Sequence, residues 1–439
     1  MKNCRELRHP DFEIRERQDG LSGKLLLTAK HQSGLQVSLL DYPGFSRAFC
    51  AAAIPFGSIH TSFSIDQKQY SLPAGTAHFL EHCVFSRDED GGLMGRLSDL
   101  GASANAYTTH DHTLYYFSVA GPFETAFTCW LDALLTLQID HDRVEAERPI
   151  ILAEMDQYRD DPETRCSQKL LEQMYRTHPV RLDIAGTKES IRDLTEQDIQ
   201  LAWETFYSPG HIHLTLAGDL DCHSILTILA ERLAAYPSGI KDVRHSFPED
   251  ASRPTSEEAI EQMDLRTPLF LLGLKELDSQ QTPWERAFRQ RSAHLLLDCL
   301  LSSVSPLYDE LYQHGLINES FSAQYLNGPG YSLLLCGGES PDPHQAADVI
   351  RKRLLEARVE DLDLELFESQ KRAAAGRMIQ TLDSVEHGGL MQARARLFGL
   401  DLFDYQLIYD KIDAAAVFNV FKHLSNPDYY ALSIVNPRR

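Results

Sequence analysis

Residues 78–82 read HFLEH. On a helix, side chains four apart lie on one face, so His78 and His82 can present two imidazole nitrogens to a single ion. Zn2+ suits such donors, since it accepts histidine nitrogen and carboxylate oxygen in a tetrahedral shell. Glu81 follows His78 by three residues and falls close to the same face. It can therefore take a proton from a water whose pKa a zinc ion lowers to about 7. Two histidines do not complete such a site; a third protein ligand is needed, with the fourth position left for water. The plainer reading is an ordinary helix surface. The chain has 18 histidines, and short motifs arise by chance.

A third ligand has to come from another element, and AERPIILAEMDQYRDDP, 146–162, offers one. Glu154 sits among Ile150, Ile151, Leu152 and Met155, and a carboxylate in partly apolar surroundings requires a partner. Glu147 lies seven residues earlier, two helical turns back on the same face. Glu145, Arg148 and Asp156 nearby also fit a solvated charged face. Pro149 removes a helical hydrogen bond and tends to kink the helix, so a looser register is expected between Glu147 and Glu154.

His110-Asp111-His112 places two histidines on one strand face, but no third ligand is evident. Cys83, directly after His82, reads as a buried thiol. Trp130, Trp203 and Trp284 read as core.

The elements that must position these residues are legible in outline. KLLLTAK (24–30), LQVSLLDY (35–42) and 47–58 read as strands. Helical patterns are expected over 73–86 and 91–100. Residues 101–121, GASANAYTTHDHTLYYFSVAG, have the β-branched and aromatic content of paired strands. Helical spacing returns at 122–139 and 142–175, interrupted near Asp161-Pro162, where Asp161 can cap a new helix. HIHLTLAGDL (211–220) reads as a strand and 225–236 as a helix.

Residues 237–258 are rich in Pro, Ser and charge and read as a linker. They divide the chain into 1–236 and 259–439. The second part repeats the first. HLLLD (294–298) aligns with HFLEH, and Gly315 with Gly101. Leu297 and Asp298 replace Glu81 and His82, so the second copy lacks the motif. The expected fold is α+β, with two similar halves built on one plan.

With 439 residues, 43% hydrophobic and 24% charged, the composition is that of an ordinary globular protein of about two domains. A net charge of −22 argues against nucleic acid and anionic membranes as partners. It fits a solvated acidic surface, and it is compatible with basic substrates. No apolar run approaches the roughly 18 residues of a membrane span. The stretch MKNCRELRHPDFEIRERQDG lacks an apolar core and does not read as a secretory signal. Eight scattered cysteines without CxxC indicate neither a disulfide framework nor a cysteine zinc cage, and a cytoplasmic location is expected.

HFLEH followed by ERPIILAEMDQYRDDP resembles the pitrilysin/insulinase family of zinc peptidases, whose inverted motif is HxxEH. GASANAYTTHDHTLYYFSV resembles the family's substrate-side strand, and FYSPGHIHLTLAGDLD the strand closing the first repeat. HPVRLDIAGTKESI is similar to half-length bacterial members encoded as pairs. The resemblance implies two similar halves, each a mostly antiparallel sheet with helices on one face, closing on each other around a peptide cavity. The resemblance implies that His78, His82 and Glu154 are zinc ligands, that Glu81 is the general base, and that Glu147 supports the site from behind. It implies substrate contacts at Ala104, Asn105 and Tyr107, with a peptide added as a strand along 103–109.

Active members of the family also grip the substrate with an Arg and a Tyr from the second half or a partner. Here Tyr312 and Asn318 stand at those positions. The resemblance therefore implies either a homologous companion subunit that supplies the pair, as a heterodimer or homodimer, or a peptide-binding subunit with a vestigial metal site.

Overall fold

The computed structural model describes residues 7–85, 91–276 and 282–438. Its fold is α+β, as expected. Two compact units are present, and each draws on separated stretches of the chain. The first comprises Met1–Leu152, Ile184–Ser246 and Arg377–Asp404; the second comprises Ala153–Asp183, Phe247–Gly376 and Tyr405–Arg439.

In the first unit the strands are β1 (Phe12–Gln18), β2 (Leu25–His31), β3 (Gln36–Asp41), β4 (Ala48–Ile54), β5 (Ser62–Ile65), β6 (Lys68–Ser71), β7 (Ala102–Thr108), β8 (Thr113–Val119), β9 (His213–Gly218) and β10 (Val243–His245). Seven of them form one sheet in the order β1-β2-β3-β9-β4-β8-β7, and β10-β5-β6 form a smaller one. β9 runs parallel to β3, and the other pairings of the large sheet are antiparallel. β4, AFCAAAI, is buried at every position, which suits a central strand covered on both faces. Among the described residues β7 is one of the sheet's two edge strands, β1 being the other. The pairing of β7 with β8 matches Asn105 with Tyr116, Tyr107 with Leu114 and Thr108 with Thr113. Within 237–258, residues 243–245 form β10 and pair with β5.

The helices that carry the site follow the expected spacing. They are α1 (Thr76–Val84), α2 (Gly92–Asp99), α3 (Phe123–Leu135), α4 (His141–Arg159) and α5 (Pro162–Met174). The helix expected over 73–86 is thus shorter, and residue 86 lies outside the described residues. Asp161 caps α5 as expected, accepting from the Thr164 amide at 2.8 Å.

Strand alternation divides the large sheet into two faces. On one, Thr108 meets α1 and Phe117 meets Trp130 of α3, with ring centroids 5.5 Å apart. The other face is covered by the helix Val385–Leu397, from the second half of the sequence. It is seated through two glycines. A Cβ at Gly388 would strike the Tyr42 hydroxyl, and one at Gly389 the Phe49 ring. Only hydrogen at these positions lets the helix lie so close to β3 and β4. Gln392, fully buried, donates to Ser38 at 3.1 Å and accepts from the Leu402 amide at 2.8 Å.

The second unit repeats the plan with β11 (Glu258–Met263), β12 (Leu269–Glu276), β13 (Ser322–Gly328), β14 (Tyr331–Glu339) and β15 (Tyr430–Pro437), in the order β11-β15-β12-β14-β13. Here the covering helix is α5, from the first half of the sequence. Its Leu170 and Met174 lie where a Cβ at Gly273 of β12 would be. Each half of the sequence thus lends one helix to the other half's sheet. Among the described residues six cysteines are free and Cys222 is disulfide-bonded.

Candidate metal centre

α1 begins at a closely packed point of the chain. Gly75, its N-cap, has φ of 89°, a left-handed conformation that favours glycine, and a Cβ there would run into the Ala185 carbonyl. Ser190 donates to the Ala74 carbonyl at 2.8 Å, and Thr76 to the Pro73 carbonyl at 2.7 Å. Phe79, Leu80, Cys83 and Val84 bury the inner side of the helix. That fixes its rotation and leaves His78, Glu81 and His82 half-buried on the outer side. The two imidazoles stand 4.8 Å apart, centroid to centroid, at 65°.

α4 runs past this face as one continuous helix from His141 to Arg159, with Pro149 inside it. The register expected to loosen at Pro149 holds. One reason is that Arg148 donates to the carbonyls of Ile191, Arg192 and Leu194, which fastens the helix beside the proline. Two polar links one turn apart join α4 to α1. Arg143 donates to the Cys83 carbonyl at 2.8 Å, and Glu147 Oε2 lies 3.3 Å from His82 Nδ1. Glu147 is only 5% exposed.

Two turns on, Glu154 completes a cluster. One ligand atom each from His78, His82 and Glu154 lies within 4.8 Å of the others. Among the described residues this is the one group of three or more His, Cys, Asp or Glu side chains with such a geometry. Two imidazoles and one carboxylate, half-buried and convergent, fit a zinc ion with a coordination position left open. A buried carboxylate on one ring nitrogen, as Glu147 is on Nδ1 of His82, is the kind of partner that fixes a ligating imidazole's tautomer.

Glu81 points toward the sheet. Its Oε2 accepts from Thr108 Oγ1 at 2.5 Å, Thr108 lies 3.3 Å from Thr113 Oγ1, and Thr113 donates to the Phe56 carbonyl at 2.9 Å. Thr108 was not among the residues singled out from the sequence. The available signal was alternation: it shares a face of β7 with Ala104 and Ala106. Asn105 is exposed, with its Oδ1 accepting from the Ala106 amide at 2.8 Å. Tyr107 points to the opposite face and accepts from Arg394 Nε at 3.0 Å. No arginine was anticipated beside this edge.

The remaining candidates take the plainer reading. The Cys83 thiol is buried and pushed up to about 12, by burial first and the Glu147 charge second. Asp111 engages His112 at 2.7 Å and Thr109 at 3.0 Å. Burial opposes its charge, but these bonds hold it down at about 2. His294, the counterpart of His78, is pushed down to about 4 by burial. Asn318 donates to Glu339 at 2.8 Å, and Tyr312 stacks on Tyr308 with centroids 6.0 Å apart.

Comparison with known proteins agrees with this geometry. Residues 65–188 match the family described as Insulinase (Peptidase family M16), and residues 193–374 match Peptidase M16 inactive domain. A relative named uncharacterized zinc protease YmfH, from Bacillus subtilis, is 30% identical over 412 residues, covering 93% of this chain and 96% of its own. The crystal structure of a putative M16-like peptidase from Alicyclobacillus acidocaldarius has a TM-score of 0.87 at 29% identity, covering 98% of this chain and 100% of that one. Pitrilysin shares the fold, with a TM-score of 0.75 at 18% identity, and this chain spans 47% of it. The chain belongs to the pitrilysin/insulinase family of peptidases, M16, in its half-length form. Bacterial relatives such as YmfH carry the name zinc protease.

Proposed function

We propose that the chain is a zinc-dependent endopeptidase acting on peptides or small unfolded polypeptides. The observation that carries this reading is the convergence of His78, His82 and Glu154 beside Glu81 and β7, an edge strand among the described residues. His78, His82 and Glu154 would hold the zinc. When bound, zinc polarises the scissile carbonyl and acidifies water. Glu147 orients His82. Glu81, aligned by Thr108, takes a proton from the attacking water and passes it to the leaving amine. The substrate backbone pairs along β7 beside Ala104, Asn105 and Tyr107, since an edge strand presents unpaired amides and carbonyls to an extended chain.

In this reading 1–236 is the catalytic domain, 237–258 the linker and 259–439 a repeat without the motif. Tyr312 and Asn318, at the substrate-gripping positions of the repeat, favour a homologous companion subunit that supplies Arg and Tyr. They also motivate the second reading, a peptide-binding subunit with a vestigial metal site. Zinc analysis and peptide digests of the chain, alone and with a companion, separate the two. Glu81→Gln is expected to retain zinc and lose cleavage; normal cleavage by that variant would refute the assignment of the base. A zinc-loaded pair that cleaves no peptide would support the second reading.

A further inference from the structure

We propose that Arg394 is a specificity-determining residue that selects a carboxylate on the bound peptide, at the position opposite Tyr107. The inference rests on the edge-strand binding proposed above and adds the chemistry of the side chain preferred there.

Arg394 reaches this edge only because the helix Val385–Leu397 crosses from the second half of the sequence to the sheet of the first unit. Its neighbours along the helix are fixed by other contacts. Gln392 bonds Ser38, and Arg396 bonds Asp401 at 3.1 Å and Gln36 at 2.6 Å. Arg394 itself is exposed. Its Nε donates to Tyr107 at 3.0 Å, and its guanidinium carbon stands 5.6 Å from the Tyr107 ring centroid. The ring and hydroxyl position the fork while engaging one of its five N–H groups. Burial pushes the Tyr107 pKa up, so the hydroxyl stays neutral and can accept this bond near pH 7.

Strand geometry determines which substrate side chains meet this cation. Ser103, Asn105 and Tyr107 lie on the face of the Val385–Leu397 helix, whereas Ala104, Ala106 and Thr108 lie on the face of α1. A peptide added along β7 alternates in the same way. Its residue opposite Tyr107 points toward Arg394, with its Cβ about 5 Å from that of Tyr107. Thr108, the next position, touches Glu81. The selected residue is therefore close to the bond that is cut. On a chain of net charge −22, a cation held at this edge marks a local preference opposite to that expected from overall charge. A planar guanidinium with N–H groups to spare suits a carboxylate, from an Asp or Glu side chain or from the peptide's own C-terminus.

The test uses the full chain carrying Glu81→Gln, so that peptides bind without turnover. Fluorescent peptides with Glu, Gln or Lys scanned through each position, with free or amidated C-termini, are titrated by anisotropy. At one scanned position the Glu peptide should bind about fivefold tighter than the Lys peptide, as expected for a charge pair at a binding-site rim. Arg394→Glu should reverse that order, and Arg394→Gln should abolish it, with the Gln peptide binding all variants alike. Persistence of the effect on amidated peptides assigns the carboxylate to a side chain; its loss on amidation assigns it to the terminus. If parent and Arg394→Glu rank the peptides identically while the Gln peptide still binds, the role of Arg394 is refuted and edge binding stands. If no peptide binds any variant, both fall.

Discussion

The bond between Glu147 and His82 permits a graded test of the metal centre. Glu147 Oε2 stands 3.3 Å from His82 Nδ1, and the side chains are 7% and 21% exposed. Glu147→Gln preserves shape and a hydrogen-bond acceptor but removes the charge. A hydrogen bond to a charged group contributes about 1.5–3 kcal/mol and a neutral one about 0.5–1.5, so the loss is roughly 1–1.5 kcal/mol, or about tenfold in zinc affinity. Glu147→Ala leaves His82 Nδ1 without this acceptor and its tautomer without this anchor. The expected loss is then about 100-fold, the upper end of the range for residues that orient metal ligands. The assay is competition between metal-stripped protein and a chelator of known zinc affinity. Thermal unfolding of the metal-free variants separates a weakened site from a damaged fold. Three chains with equal zinc affinity would refute the role assigned to Glu147. A larger loss for Gln than for Ala would refute the charge argument.

Thr108→Val keeps the volume and removes the donor to Glu81; kcat/KM should fall about tenfold with bound zinc unchanged, and unaltered kinetics would remove Thr108 from the site. At Gly389, alanine would favour the helix by about 1 kcal/mol but collide with Phe49, an overpacking cost of about 1–3 kcal/mol, so a lower urea midpoint is expected. A raised midpoint would show that the helix can move away. His213 and His245 are both pushed down to about 4 by burial, His245 lying 4.0 Å from the His60 ring. Protons therefore bind the unfolded chain first. The stability tied to each is fully present above about pH 6.5 and falls as pH drops toward 4, by roughly 3 kcal/mol per residue. Urea titrations from pH 7 to 4 measure the slope, which His245→Gln should reduce.

The helical positions of the motif were legible because a helix repeats every 3.6 residues whatever surrounds it. That spacing alone puts His78 and His82 on one face, and the Asp161 cap is equally local. The proline rule misled at Pro149, because tertiary bonds from Arg148 hold the helix that the proline weakens locally. Alternation placed Asn105 and Tyr107 on one side of a strand but could not say what they faced.

Periodicity, internal similarity and residue chemistry were enough for the α+β class, the repeat, the half that carries the motif and the pairing of His78 with His82, whereas Glu154 as third ligand came from the family resemblance. Only the tertiary structure decided which groups meet across distance. Glu81 finds Thr108 27 residues away, His82 finds Glu147 65 away, and Tyr107 finds Arg394 287 away. Such contacts depend on how whole elements pack. For the helix bearing Arg394, packing is set by two glycines that allow it onto another half's sheet, and no local pattern in HGGLMQARARL specifies which sheet that is.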